Sequence, residues 1–331
     1  MIIESRAYAR AGLLGNPSDG YFGKTISIIV RNFGAHISLY QSPELRIEPQ
    51  VQDIHQYKNI NDLVESVNLH GYYGGDRLIK AAIKKFWDYC RAEDIRLESK
   101  NFSIRYHSTI PRQVGLAGSS AIITATMKAL MKFYHVKISD TNLPSLILAT
   151  EVDELGISAG LQDRVIQVYE GCVYMDFNSE YMLSHNHGKY TRLDPELLPK
   201  LYLAYRIDMS KESGAVLNNI KVRYDNGDRF VIDTLEEIAS IAQKGKYALQ
   251  KRNYAELHDL MNTNFNLREK IMTIRPADKD LIETARQCGA SAKFAGSGGS
   301  IIGIYHDDEM LNRLKVELKK VRARVIKPFI V

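Results

Sequence analysis

The chain has 331 residues, a formal net charge of +5 and three cysteines. Apolar residues make up 45% and charged residues 25%, which excludes a disordered, fibrous or repeat chain and leaves a globular protein long enough for two packed domains. The mild positive balance contains no Lys/Arg run that would serve as a nucleic-acid arm, although it suits an anionic ligand.

Cys90, Cys172 and Cys288 are far apart and share no CxxC spacing, so neither a disulfide framework nor a structural zinc site is expected. Buried thiols in a reducing compartment are the simpler reading. The opening MIIESRAYAR lacks the apolar centre of a signal peptide, and no apolar run approaches the ~20 residues that span a bilayer. The expectation is a cytoplasmic protein with no membrane or nucleic-acid partner, acting as a monomer or homodimer.

In chain order, residues 27–30 and 36–40 read as short strands joined by a hairpin at Asn32-Phe33-Gly34. A turn-rich stretch, Gly12 to Gly20, precedes them. Helical spacing of Leu78, Ala82, Ile83, Phe86 and Tyr89 predicts a helix over 78–92, and 102–107 reads as a strand. The clearest helix is 119–134, with Ala121, Ile122, Ala125, Ala129, Leu130 and Phe133 as its apolar stripe. A second helix, 143–154, has Asn142 as candidate N-cap and Pro144 in its first turn. Residues 165–169 and 172–177 read as a hairpin around Glu170-Gly171. From Asn178 to Pro199 no period holds, and the domain link is placed there. A strand at 201–207, long amphipathic helices near 233–250, 254–272 and 278–288, a strand–Gly-rich turn–strand unit at 292–305, a charged helix and a last strand at 324–331 complete the chain. Helices and short strands segregated in this way point to an α+β fold.

The segment PRQVGLAGSSA, Pro111 to Ala121, lies between a strand and the clearest helix. Gly115 and Gly118 allow close backbone approach, and Ser119 and Ser120 stand where free N–H groups and the helix dipole face the loop. This is a ready anion site of the kind that takes phosphate. It is neither a Walker A loop nor GxGxxG, and a Gly/Ser turn that only caps a helix is the alternative for the loop taken alone.

Two further segments accompany it: ARAGLLGNPSD, Ala9 to Asp19, and KFAGSGG, Lys293 to Gly299. The ordered trio resembles the three motifs of the GHMP kinases. GLLGNPSDGYFGKTIS from Gly12, GYYGGDRLI from Gly71, GLQDRVIQVYEG from Gly160 and KFAGSGGS from Lys293 look like the glucuronokinase branch of that superfamily. The resemblance implies a two-domain GHMP kinase fold. An N-terminal nucleotide-binding domain, residues 1–190, would precede a C-terminal ferredoxin-like α/β sandwich, residues 191–331. It also implies an ATP- and Mg²⁺-dependent kinase acting on the anomeric hydroxyl of a sugar acid, with D-glucuronate first. Galacturonate, a galactose-like sugar or a heptose phosphate is the alternative acceptor, and a non-catalytic ligand-binding member of the fold a more remote one.

The same resemblance assigns roles. Asp163 matches the catalytic aspartate, a carboxylate that orients a hydroxyl and accepts its proton. Arg10 matches the basic residue that pairs with it and stabilises charge on the moving phosphoryl group. The nucleotide loop comprises Pro111, Gly115, Leu116, Ala117, Gly118, Ser119, Ser120 and Ala121. Asp19 is placed on sugar hydroxyls, with Gly296, Ser297 and Gly298 beside the substrate. Ser120 and Glu151 are the metal ligands, with Ser119 and Glu154 as neighbouring candidates. A substrate carboxylate calls for a basic partner. Lys24, Arg31, Arg112 and Arg164 are the candidates, and the sequence leaves the choice among them open. Tyr72 and Tyr73 are considered for an aromatic pocket wall.

Overall fold

The computed structural model describes residues 2–48, 75–207 and 220–331. The fold opens with two long antiparallel strands, β1 (Ile2–Leu14) and β2 (Lys24–Ser42). In β1 the side chains of Ile3, Ser5 and Ala7 are buried while their alternating neighbours are exposed or half-buried; from Ala9 onward both faces are buried. Period-2 alternation marks a strand with one wet face, and its loss marks the point where protein covers both sides. Arg10 lies in that doubly covered stretch.

The expected hairpin at Asn32-Phe33-Gly34 does not form. β2 runs straight through it, and the register against β1 shifts between Tyr8 and Ala9, so that Tyr8 faces Gly34 while Ala9 faces Val30. Extra residues on one strand are accommodated as a bulge, which bends the strand without reversing it. β3 (Arg46–Ile47), β4 (Asn101–Ser108), β5 (Cys172–Asp176) and β6 (Lys189–Leu193) complete this sheet. Its order is β3-β4-β2-β5-β6, and β1 pairs with β2. β4 meets the C-terminal half of β2 and β5 its N-terminal half.

Helices α1 (Gly75–Ala92) and α2 (Gly118–Phe133) lie against each other, and α2 packs on β1 and β2. All six predicted stripe residues of α2 are buried, together with Ile123 and Met127. Each large aliphatic side chain so buried contributes ~1.5–3 kcal/mol. The helix start, and with it the loop from β4, is therefore held rigidly. The next predicted helix divides into α3 (Leu143–Ala149) and a π turn (Thr150–Glu154), and the Asn142 side chain makes no capping bond.

The predicted hairpin at 165–177 is half wrong. Residues Gln162–Tyr169 form a helix, α4, followed by strand β5. Val165, Ile166 and Val168 carry β propensity, but burial of Val165 and Ile166 with Leu161 against β2 and β5 outweighs the few tenths of a kcal/mol that separate residue types in a helix (range ~0–0.7 kcal/mol). The region beyond Asn178 is also more regular than its composition suggests. It holds α5 (Ser179–His185), capped by the Asn178 side chain, and then β6.

The second sheet, β10-β7-β9-β8, is antiparallel throughout. It comprises β7 (Leu201–Arg206), β8 (Lys293–Phe294), β9 (Ser300–Ile304) and β10 (Ala323–Ile326). Between β7 and β8 come α6 (Ile220–Asp225), α7 (Arg229–Gln250), α8 (Tyr254–Ile271) and α9 (Pro276–Gln287); α10 (Asp308–Lys320) joins β9 to β10. This strand order and connectivity is the expected ferredoxin-like pattern. The last strand ends at Ile326, short of its predicted extent, and the tail bonds instead to the β2 bulge through Asn32 and Phe329. Cys90, Cys172 and Cys288 are buried and unpaired. No described helix is long and apolar enough to cross a membrane.

Candidate active site

Between the two sheets lies a cavity of ≈ 840 Å³. That volume falls in the range of small-molecule sites. Arg10, in the buried half of β1, donates from Nε to Asp163 Oδ1 at 2.5 Å and from Nη2 to Oδ2 at 2.8 Å. Its Nη1 donates to the carbonyls of Gly115, at 2.6 Å, and Ala295, at 3.1 Å. One guanidinium thus ties together all three Gly-rich segments and the carboxylate of α4. Burial alone raises the Asp163 pKa, yet the charge and hydrogen bonds of Arg10, aided by Arg164, hold it below the usual carboxylate range. Asp163 is ionised at neutral pH. It also stands in the first turn of α4, where the helix dipole favours an anion.

Asp19 sits in the short 3₁₀ turn after β1 and accepts from Gln162, from Nε2 at 2.8 Å and from the backbone N–H at 3.3 Å. Although the residue as a whole is part-buried, its carboxylate is withdrawn from bulk water. Burial and then repulsion from Asp163 push its pKa up to about 7. Gly160 makes this approach possible: a Cβ there would stand 2.0 Å from Asp19 Oδ2.

Glu151 is buried in the π turn, a distortion frequent at functional sites. Its Oε2 accepts from Arg164 Nε at 2.7 Å and from Arg164 Nη2, while Arg164 Nη1 donates to Gly160 O at 2.7 Å. Burial raises the Glu151 pKa against the opposing pull of Arg164. Glu154 instead faces Lys84 at 2.8 Å and does not line the cavity.

The phosphate-type loop reaches the cavity through Gly115, Ala117, Ser119 and Ser120. Gly115 has φ +68°, and a Cβ on it would lie 2.7 Å from Gly298 O. Ala117 adopts a left-handed conformation just before α2, and its carbonyl receives Ser120 Oγ at 3.2 Å and Gln167 Nε2 at 2.9 Å. Of the remaining expected loop residues, Pro111, Leu116, Gly118 and Ala121 do not line the cavity. Leu116 and Ala121 are core side chains that hold the loop from below. Gly296 and Ser297 line the cavity; Gly298 does not, and its backbone packs against Gly115 and Asp278.

Arg164 alone among the four basic candidates reaches the cavity. Lys24 bonds to Gln243 and pairs with Asp176, and Arg31 pairs with Glu170 near Tyr8. Arg112 is exposed on the loop's outer side. Tyr72 and Tyr73 lie outside the described residues.

Sequence reading missed Gln162, Tyr21, Arg268 and Lys293. Lys293 is fully buried and donates to Gly12 O at 2.7 Å, Asn16 Oδ1 at 2.5 Å and Phe294 O at 2.8 Å. Burial, and then repulsion from Arg268 and Arg10, lowers its pKa well below the ordinary lysine value. Arg268 and Asn264 carried a legible signal. On α8 they share the buried stripe with Leu257, Met261 and Ile271, where polar residues are out of place. Asn264 accepts from Gly15 N–H at 2.7 Å and so anchors the first motif.

Residues 77–171 match the family model of the GHMP kinases N terminal domain, and 246–323 that of the GHMP kinases C terminal domain. Glucuronokinase 1 of Arabidopsis thaliana is 44% identical over 306 residues, covering 91% of this chain and 84% of that protein. The chain belongs to the GHMP kinase family. Probable glucuronokinase 2 of the same plant is 45% identical over 308 residues, with the same two coverages of 91% and 84%. Among solved GHMP kinase-fold structures, mevalonate kinase of Methanococcus jannaschii superposes with a TM-score of 0.71 at 23% identity, covering 100% of this chain and 98% of that one. Galactokinase of Lactococcus lactis, complexed with galactose, gives 0.77 at 16% identity, covering 99% and 93%. The structural likenesses carry the GHMP fold; the plant relatives carry the sequence family.

Proposed function

We propose that this GHMP kinase transfers the γ-phosphoryl group of ATP to the anomeric hydroxyl of D-glucuronate, giving glucuronate 1-phosphate and ADP. The observation that carries the reading is the Arg10 clamp, which fixes an ionised Asp163 beside the phosphate-type loop within one cavity. The choice of sugar acid is supported by similarity to the two plant glucuronokinases over 91% of the chain.

In this reading the triphosphate lies on the backbone N–H groups at the start of α2, with Ser119 and Ser120 beside it. Phosphoryl transfer through a loose transition state asks mainly for positioning and charge stabilisation. Asp163, held strongly ionised, orients the attacking hydroxyl and takes its proton late, once the oxygen–phosphorus bond is largely formed. Arg10 keeps that carboxylate aimed. Asp19 accepts from sugar hydroxyls, as a carboxylate with lone pairs beyond its Gln162 bonds can. Mg²⁺, which commonly uses one or two carboxylates together with substrate phosphates, belongs to the same reading, and both expected ligands line the cavity. Ser120 and Glu151 would hold it, and it would neutralise charge on the phosphates. A division into two domains belongs to the same proposal, with the boundary a few residues beyond the expected 190/191, because β6 closes the first sheet at Leu193 and β7 opens the second at Leu201. So does a cytoplasmic location.

A coupled ADP-release assay over D-glucuronate, galacturonate, galactose and a heptose phosphate tests the assignment. Turnover is expected to be fastest with D-glucuronate, with phosphorus NMR placing the product phosphate at C1. No turnover of any uronic acid removes the proposal.

Asp19 gives the activity a pH signature. Its pKa of about 7 in the free protein predicts that kcat/KM for the sugar rises with pH through about 7 and then levels, because the ionised form binds the hydroxyls. Stability runs in the opposite sense. The folded chain keeps a proton that the unfolded chain, with an ordinary value of 3.8, has already released. This contribution is therefore present at low pH and is lost as pH rises from about 4 to about 7. Asp19→Asn should flatten both dependences and raise the sugar KM; a pH–rate profile identical to that of the unmodified protein contradicts the assignment.

A further inference from the structure

Among the described residues, four basic side chains line the cavity: Arg10, Arg164, Arg268 and Lys221. Two are already matched to carboxylates, Arg10 to Asp163 and Arg164 to Glu151. Lys221 stands at the rim, largely exposed, and pairs with Asp225 at 2.9 Å. Arg268 is different. It is 4% exposed, and among the described residues no carboxylate forms an ion pair with it. Its partners are neutral: Gly296 O at 2.8 Å from Nη1, Ser297 O at 3.5 Å from Nη2 and Met272 Sδ at 3.1 Å from Nε.

Asp19 and Asp278 act on Arg268 only from a distance. A buried cation with no carboxylate in contact is costly, and it is the kind of group that a bound anion completes. The guanidinium is also pre-set for such a ligand. Its centre lies 5.1 Å from the centroid of the Phe294 ring, and the two carbonyls fix its orientation. Each terminal nitrogen carries two N–H groups and spends one on a carbonyl, so a second remains on each. A planar fork of this kind matches a carboxylate in two-point fashion. The neighbours are apt as well. Met272, Gly296 and Ser297 share the cavity wall, and Asp19, the sugar-hydroxyl acceptor, lies close enough to act on Arg268 electrostatically.

We propose that Arg268 is the specificity-determining residue that recognises the C6 carboxylate of the uronic acid while Asp19 takes ring hydroxyls. This rests on the sugar-acid reading above. It replaces the four basic residues that sequence alone suggested with one that only the fold brings to the cavity.

The test compares D-glucuronate with neutral D-glucuronamide, using kcat/KM and calorimetric Kd, for the unmodified protein, Arg268→Gln and Arg268→Lys. Gln retains a donor for Gly296 O but removes the charge. The unmodified protein should prefer the acid by roughly 10²-fold or more, as expected when a buried polar partner is otherwise left unmatched. Arg268→Gln should lose most of that preference, its KM for the acid rising far more than its KM for the amide. Arg268→Lys should fall between, since a point charge replaces the fork. An unchanged acid-to-amide ratio in Arg268→Gln overturns the proposal. So does an equal loss on both sugars, which would make Arg268 a support of the 296–297 turn or a phosphate contact. If Arg268→Gln fails to fold, Arg268→Lys decides by the same ratio. Failure of the unmodified protein to phosphorylate any uronic acid would instead sink the sugar-acid reading, and this inference with it.

Discussion

Asp163→Asn is expected to lower kcat by roughly 10²–10⁴-fold or more while ATP affinity stays within about threefold of its original value. The reasoning is local. The amide keeps the shape of the side chain and one acceptor for Arg10, so the Arg10–Gly115–Ala295 network and the loop it supports survive. What disappears is the negative charge proposed to face the hydroxyl and its capacity to take a proton. Arg10 holds the Asp163 pKa low, which makes the carboxylate a weak base and an effective orienting group. Proton transfer that follows bond formation to phosphorus suits such a base. Steady-state kinetics with calorimetric nucleotide binding checks the split between kcat and binding. An Asn variant retaining a tenth of the original kcat would remove Asp163 from the mechanism. The contrast with Asp19 sharpens the test: the two carboxylates have pKa values driven apart, and Asp19→Asn is expected to act on KM and on the pH profile instead.

Arg10→Lys is expected to have the second large effect, with kcat down by about 10²–10³-fold. A single ammonium cannot reproduce contacts made by three nitrogens to Asp163, Gly115 and Ala295, which lie on separate segments. The charge remains, so long-range attraction for the nucleotide persists, but the geometry is lost. The side chains of Arg10 and Asp163 are 7% and 16% exposed, so their mismatch also loosens the junction between the sheets. A thermal melt should show a lower midpoint, and ATP binding should weaken less than kcat falls. Unchanged kcat in the lysine variant would mean that Arg10 contributes charge alone.

Much of this site was legible without coordinates. Gly115, Ser119, Ser120, Arg10, Asp19, Glu151 and Asp163 were all nominated from the chain, and all meet in one cavity. The reason is that short Gly-rich segments advertise backbone geometry directly: φ +68° at Gly115 and the α2 start beyond it are local matters. The errors were equally physical. Val165, Ile166 and Val168 resemble a strand in isolation, and only the packing of Val165 and Ile166 against β2 and β5 makes the segment helical. Asn32-Phe33-Gly34 resembles a turn, and only the pairing of β1 across it turns it into a bulge.

The sequence by itself determined the loop, the order of its two companion segments and the carboxylates proposed for phosphoryl transfer, because each is encoded over a few neighbouring residues. The Arg10–Asp163 pair, 153 positions apart, is the one that the family resemblance implied. Tertiary structure alone decided the remaining charges: Arg164, nominated for a substrate acid, is engaged by Glu151. Arg268, in a helix of the second half, comes to the cavity as its one buried cation lacking a carboxylate partner among the described residues. Electrostatics acts through space, and which charge is left unmatched is settled only when distant segments are packed together.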